Sequence, residues 1–337
     1  MDWVRGDAIG RGTFATVSLA IPKSDAAQFP LTAVKSSEAL NARWLKNEKH
    51  VLQCLGSCPR IIRCFGDDHS FENGVEFYNL FLEYAAAGSL ADKVKNHGIA
   101  EAAVRRYTRS IVEGLNHVHQ NGFVHCDIKL HNILVFDDGQ VKIADFGLAK
   151  EAGAKQGKSE CRGTPMFMSP EQVIGGECNS PADIWALGCA VVEMVTRKPA
   201  WQVEKGSSLW SLLLRIGVGD EVPQMPQNLS PEGKDFIGKC FIKDPKKRWS
   251  AEMLLKHPFV SDDDTVSFKQ FDESPRSHFD FPDWVSTATA SLPTSPESQS
   301  PWNFDHSLCS PENRLRQLVA VQPPPCWSDS DGWSIVR

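Results

Sequence analysis

The 337-residue chain carries 36 Lys and Arg against 42 Asp and Glu, a net charge of −6, and 41% of its residues are hydrophobic. This is an ordinary globular composition, and the mild acidity argues against nucleic-acid binding. The length suits one large domain, or two lobes of one, with some excess.

The charge is uneven. Residues 261–337 hold 5 Lys and Arg against 12 Asp and Glu, a net −7, which leaves the rest of the chain at +1. The ten cysteines are scattered without any CxxC pair, and Cys54 and Cys58 lack a second pair at matching spacing. No zinc site is expected. The pattern suits reduced thiols in the cytoplasm and/or the nucleus. The opening "MDWVRGDAIG" has no apolar stretch of signal-peptide type, and the longest apolar run, near "DIWALGCAVVEMV", is too short to span a bilayer. Neither secretion nor membrane insertion is expected.

In chain order, residues 3–35 alternate apolar and polar around glycines and end in "LTAVK", which predicts hairpin-linked strands. Residues 38–55 place Leu45, Glu48, Leu52 and Leu55 at helical spacing, and "EFYNLFLEY" is strand-like. From about 101 onward helical patterns take over: "AAVRRYTRSIVEGLNHVHQ", "SPADIWALGCAVVEMVT", "SLWSLLLRIG" and "SPEGKDFIGKCF". Strands first and helices after, with one helix among the strands, predicts an α+β protein with a sheet lobe and a helical lobe. The pattern stops at Val260. Beyond it come "SDDDT", Ser-Pro pairs at Ser274, Ser295, Ser300 and Ser310, and "QPPPCW". Low apolar content and proline predict a disordered tail, 261–337, in which "FPDW" and "DGW" are candidate docking anchors.

The chemistry lies in an ordered set of short motifs. "AIGRGTFATV" is a glycine-rich turn whose Gly10 and Gly12 let backbone amides approach phosphates. "AVK" then offers Lys35, a helix offers Glu48, "HCDIKLHN" offers Asp127, Lys129 and Asn132, and "VKIADFGLAK" offers Asp145. Each alone is weak: a glycine hairpin is usually only a turn, and a lone lysine is usually solvated. Their order and spacing together are specific.

This set resembles the eukaryotic protein kinases, and the resemblance runs from residue 3 to 260. It implies a bilobal kinase fold over 1–260, with a small antiparallel sheet lobe bearing one regulatory helix (3–84) and a larger, mainly helical lobe (85–260). It implies ATP and Mg²⁺ as cofactors. Ile9, Gly10, Arg11 and Gly12 would cover the nucleotide, and Val17 and Ala33 would sandwich adenine. Glu83 and Ala85 would present backbone to its edge. Lys35, paired with Glu48, would hold the α- and β-phosphates. Asp127 would accept the substrate hydroxyl's proton, Lys129 would neutralise the transferring phosphate, and Asn132 and Asp145 would hold the metal.

Lys129 together with Thr164 in "GTP" accompanies Ser/Thr specificity in this family. Glu171 and Arg248 match a buried ion pair, and Asp183 matches the helix-borne acid that anchors the catalytic loop. "GTPMFMSPEQV" is similar to the MAP kinase kinase kinases, with Ser169 in place of alanine. "HCDIKLHNIL" and "KCFIKDPKKRWSAEMLLKHPFV" are similar to the short plant MEKK-like group, in which the kinase domain comes first and a variable tail follows. That resemblance implies a MAP kinase kinase as substrate, in plant stress or hormone signalling. The tail's Ser-Pro sites suit a downstream MAP kinase, and "RLRQLVAV" (314–321) is either a docking stretch for it or a short amphipathic stretch with no partner.

Two other classes fit parts of the pattern. One is a pseudokinase scaffold, which the intact Lys35, Asp127, Asn132 and Asp145 oppose. The other is an active kinase of another tier, such as a receptor-like cytoplasmic kinase, which "GTPMFMSPE" opposes. Ala15 stands where a third loop glycine is common, a small change. Cys126 stands where most regulated kinases carry an arginine that pairs with a phosphate on the activation segment. A thiol offers one weak donor where a guanidinium offers five. The segment 145–171 is therefore expected to be ordered by packing or by a partner, with phosphorylation at Ser159 and its neighbours adding less than in an arginine-bearing relative. A buried thiol is expected at Cys126; the competing reading, a redox switch, would need exposure.

Overall fold

The computed structural model describes residues 3–12, 14–23, 31–154, 162–203 and 208–261. Five antiparallel strands form one sheet: β1 (Trp3–Arg11), β2 (Thr16–Pro22), β3 (Thr32–Glu38), β4 (Cys64–Glu72) and β5 (Val75–Glu83), in the order β1-β2-β3-β5-β4. β3 is buried at every position but its last, as befits the central strand. Arg5 ties β1 across the sheet, donating to Glu72 on β4 (2.7 and 3.0 Å), Asn79 on β5 (2.9 Å) and Ser36 on β3 (2.5 Å).

The helix predicted over 38–55 starts as a 3₁₀ turn at Ala39–Asn41 and becomes α1 (Arg43–Leu55). Its buried face is Leu45, Glu48, Val51, Leu52 and Leu55, an apolar stripe at helical spacing with one carboxylate in it. Gly56 ends it at φ 64°, donating to the Leu52 carbonyl.

The second lobe holds α2 (Leu90–His97), α3 (Glu101–Gln120), the short strands β6 (Phe123–Val124), β7 (Ile133–Val135), β8 (Val141–Ile143) and β9 (Lys150–Glu151), and then α4 (Pro170–Gly175), α5 (Ser180–Thr196), α6 (Leu209–Gly217), α7 (Pro231–Cys240) and α8 (Ala251–Leu255). The four helical patterns read from the sequence coincide with α3, α5, α6 and α7. The strand β4, the short helices α2, α4 and α8, and the two-stranded pairs β6-β9 and β7-β8 went unread. β4 has strict alternation of exposure, but its "CFGDDHSFE" is rich in residues that strands disfavour.

α5 is apolar around nearly its whole circumference and is buried from Ala182 through Val192. α7 lies close against it. A Cβ at Gly188 would come within 2.8 Å of Cys240 and Phe241, so the contact requires glycine.

Arg248 crosses this lobe with a side chain that is 0% exposed. It grips Glu171 through two bonds of 2.6 and 3.0 Å, donates to the carbonyls of Ile242 and Pro181, and lies over the Trp185 ring. The Glu171→Ala variant would leave a buried guanidinium without its counter-charge, at a cost of about 3–5 kcal/mol. Urea unfolding should show that loss. Adding Arg248→Met should restore part of it, since an apolar side chain of similar length needs no partner.

Candidate active site

Two clusters of charge face each other across a short backbone bridge. In the first, Lys35 projects from β3 and its Nζ lies 2.7 Å from Glu48 Oε2 on α1 and 2.8 Å from Asp145 Oδ1. The Glu48 side chain is fully buried and that of Lys35 nearly so. Glu48 Oε1 accepts the N–H of Phe146 (3.1 Å), so α1, the sheet and the segment after Asp145 are locked at one carboxylate.

The pKa shifts follow from this geometry. Burial by itself would lower Lys35, but Asp145 and then Glu48 outweigh it, and the ammonium stands above the ordinary lysine range. Burial pushes Glu48 up, and Lys35 offsets only part of that. Burial would also raise Asp145, yet Lys35 holds it below the usual carboxylate range.

The second cluster sits on the loop after β6. Asp127 Oδ1 accepts from Thr164 Oγ1 (2.7 Å), and Lys129 Nζ donates to the same Thr164 oxygen (2.9 Å). Lys129 Nζ is also 3.3 Å from Asp127 Oδ2. Asn132 Nδ2 donates to the Asp127 backbone carbonyl (2.8 Å) and to its Oδ2 (3.0 Å). The clusters meet where Ala144 N–H donates to the Asn132 carbonyl (2.8 Å), which sets Asp145 next to Asn132.

His125, which the sequence reading left without a role, fastens this junction. Its Nδ1 accepts the Asp127 N–H (3.2 Å) and its Nε2 faces the Ala144 carbonyl (3.1 Å), so the ring proton belongs on Nε2. The ring lies edge-on to Phe146, with centroids 4.7 Å apart. Its signal was only its place in the motif.

Asp183 on α5 holds the loop from below. Its Oδ2 accepts from His125 N–H and lies 2.9 Å from His119 Nε2, and its Oδ1 accepts from Cys126 N–H. Burial would raise its pKa, but the bond and charge of His119 keep it low. Cys126 and Asp145 both have positive φ, 69° and 65°. For non-glycine residues such backbone costs about 1–3 kcal/mol each and persists only where the surroundings enforce it. The Cys126 side chain is buried with Val124, Cys178 and Ala182 and is directed at the Val124 carbonyl (3.6 Å). Its burial does not meet the exposure that a redox switch would need. At Gly163 (φ 103°) a Cβ would lie 2.6 Å from the Cys126 carbonyl, so only glycine lets the segment bearing Thr164 approach this loop.

The positions that the resemblance assigns to the nucleotide lie on or beside adjacent strands. Ile9, Gly10 and Arg11 end β1, and Gly10 pairs with Val17, Val17 with Lys35, and Ala33 with Leu82. Gly12 N–H donates to the Ala15 carbonyl and closes the turn. Glu83 directs its carboxylate to Lys142 (2.6 and 2.8 Å), so what it has to offer the cleft is backbone. The Ala85 carbonyl accepts Gly88 N–H. Ser169 is fully buried in a capping box with Gln172. Ser159 lies outside the described residues.

The donor set suits a hard divalent cation. Asn132 uses its side-chain nitrogen on Asp127, which leaves its oxygen, and Asp145 has Oδ2 beyond the Lys35 contact. Among the described residues no group of three or more His, Cys, Asp or Glu gathers as a metal site, so such an ion would draw its other ligands from phosphate and water.

A glycine-rich hairpin, a buried Lys–Glu pair and a loop carrying Asp, Lys and Asn define a phosphoryl-transfer site. The family model for the protein kinase domain matches residues 3–260, and the chain belongs to the protein kinase family. It is 51% identical over 356 residues to mitogen-activated protein kinase kinase kinase 20 of Arabidopsis thaliana, with 100% of both chains covered. It is 41% identical to kinase kinase kinase 18 of that plant, over 77% of this chain and 78% of the other. To kinase kinase kinase 17 it is 40% identical, over 77% and 70%. These relatives set it among the MAP kinase kinase kinases, as a serine/threonine kinase that uses ATP and a divalent cation.

Lys35→Met and Asp145→Asn should each lower turnover by about 10²–10³-fold or more, because each removes one preorganised charge from the site. Phosphate incorporation into a generic protein substrate measures this, with circular dichroism to show that both variants fold.

Proposed function

We propose that this kinase passes the γ-phosphate of ATP to Ser or Thr hydroxyls of a MAP kinase kinase, with Mg²⁺ as its cation. The setting is a plant stress or hormone cascade in the cytoplasm and/or nucleus. The observation that carries this reading is the 51% identity along the whole chain to a protein named as a MAP kinase kinase kinase. The Lys129–Thr164–Asp127 contacts support the choice of Ser and Thr.

In this reading Asp127 orients the substrate hydroxyl and takes its proton, a role that contributes about 10²–10⁴-fold. Thr164 holds the Asp127 carboxylate until substrate arrives. Lys129 faces the transferring phosphate, and Lys35, fixed by Glu48, holds the α- and β-phosphates. Asn132 and Asp145 would hold Mg²⁺ through their side-chain oxygens, and the ion would offset phosphate charge. Ile9, Gly10, Arg11, Gly12, Val17 and Ala33, with the backbone of Glu83 and Ala85, enclose the nucleotide. A panel of MAP kinase kinases as substrates tests the assignment. At least one should be phosphorylated on Ser or Thr far faster than a generic protein. Equal, slow rates on all of them would point to another tier.

The domain reading is a kinase domain over 1–260 followed by a regulatory tail, 261–337, of which all but Ser261 lies outside the described residues. A downstream MAP kinase would act on Ser274, Ser295, Ser300 and Ser310. Deleting 261–337 should leave basal turnover within about threefold, since every group with an assigned catalytic role precedes it. Phosphopeptide mapping after treatment with active MAP kinase should mark at least one of the four serines.

A further inference from the structure

Four consecutive backbone carbonyls follow Asp145, at Phe146, Gly147, Leu148 and Ala149. A 3₁₀ turn of three residues, Phe146–Leu148, satisfies few of its own groups. Side chains supply the donors. Asn47 on α1 directs its Nδ2 at the carbonyls of Phe146 (3.4 Å), Gly147 (2.9 Å) and Ala149 (2.8 Å). From the far end of the segment, Arg162 donates to Leu148 (2.9 Å) and Ala149 (3.3 Å). The Arg162 guanidinium also lies 5.8 Å from the ring centre of Trp44, one turn before Asn47 on the same helix. A Cβ at Gly147 would fall 3.4 Å from the Trp44 carbonyl, so helix and segment run in close contact.

Asn47 and Glu48 are neighbours with opposite tasks. Glu48 accepts the Phe146 N–H, and Asn47 donates to the carbonyls that follow. Together they fix both polar edges of the stretch that carries Asp145. The loop offers no cation for this work at Cys126, whose thiol is buried.

We infer that Asn47 is a positioning residue of this kinase, which with Arg162 holds the segment after Asp145 in its working arrangement by neutral and cationic donors from protein, without a phosphate. This rests on the proposed metal role of Asp145. Asn47 does not touch the reacting atoms, so its effect belongs in kcat. A misplacement on the order of 1 Å in such a site commonly costs about 10²-fold.

The test measures kcat, the KM for ATP and thermal unfolding of the full chain for Asn47→Ala, Asn47→Asp and Arg162→Gln, beside wild type and Asp145→Asn. Asn47→Ala should lower kcat by about tenfold or more with the KM for ATP within about threefold. Asn47→Asp should fall further, because it keeps the shape but turns a donor into an anion facing carbonyls. A residue that only fills space would give the reverse order, with the isosteric Asp variant near wild type. That order, or a kcat for Asn47→Ala within twofold of wild type, overturns the inference. If the Asn47 variants do not fold, Arg162→Gln decides: a loss of about threefold or more supports the inference, and an unchanged kcat overturns it. Phosphatase-treated wild type should keep its kcat within about threefold, and a collapse by orders of magnitude would show that phosphate does the holding. An active Asp145→Asn variant would instead mean that the metal assignment itself is wrong, whatever the Asn47 variants do.

Discussion

One ammonium group organises this molecule. Lys35 lies between Glu48 and Asp145 with almost no access to water. A charge so placed survives only if it is paired, and pairing it fixes three separate pieces of chain: the central strand, α1 and the segment that carries Asp145. Two lysines, Lys35 and Lys129, stand among three carboxylates, Glu48, Asp127 and Asp145, so the site carries one negative charge too many. The cluster is therefore short of positive charge before any phosphate enters. A divalent cation bound with the nucleotide would supply positive charge to this cluster.

The second lobe has an equivalent anchor with the sign reversed. Asp183 is a carboxylate buried in α5, a helix apolar around nearly its whole circumference, and it is satisfied by two backbone N–H groups and a histidine. Those N–H groups belong to His125 and Cys126, the two residues before Asp127. The strained backbone at Cys126 is held from below by Asp183 and from above by the close approach of Gly163. The geometry of this loop is thus set by a carboxylate buried on α5 and by a glycine that permits close approach.

The loop carries a thiol, Cys126, directly before Asp127. The thiol joins Val124, Cys178 and Ala182 in a small apolar cluster under the loop. Order at the start of the segment comes from α1 and from Arg162 in the segment itself. The relatives named as MAP kinase kinase kinases show the company in which this chain belongs.

Much of this was legible in the sequence. Spacing alone marked α3, α5, α6 and α7, because each buries a stripe that repeats with the helical period, or in α5 almost every side. The motifs named Lys35, Glu48, Asp127, Lys129, Asn132 and Asp145, because phosphoryl transfer needs those charges on a chain that folds in one order. Tertiary structure alone decided the rest. β4 is rich in Asp, Glu and Gly, which strands disfavour, and becomes a strand because β5 offers it a partner edge. The Glu83 carboxylate turns from the cleft because Lys142, 59 positions on, comes within 2.6 Å. Asn47 acquires a role only when carbonyls about a hundred residues away arrive beside it. A sequence pattern records periods within one element. It cannot record which polar group will meet another after folding, because that depends on contacts between elements that no local spacing encodes.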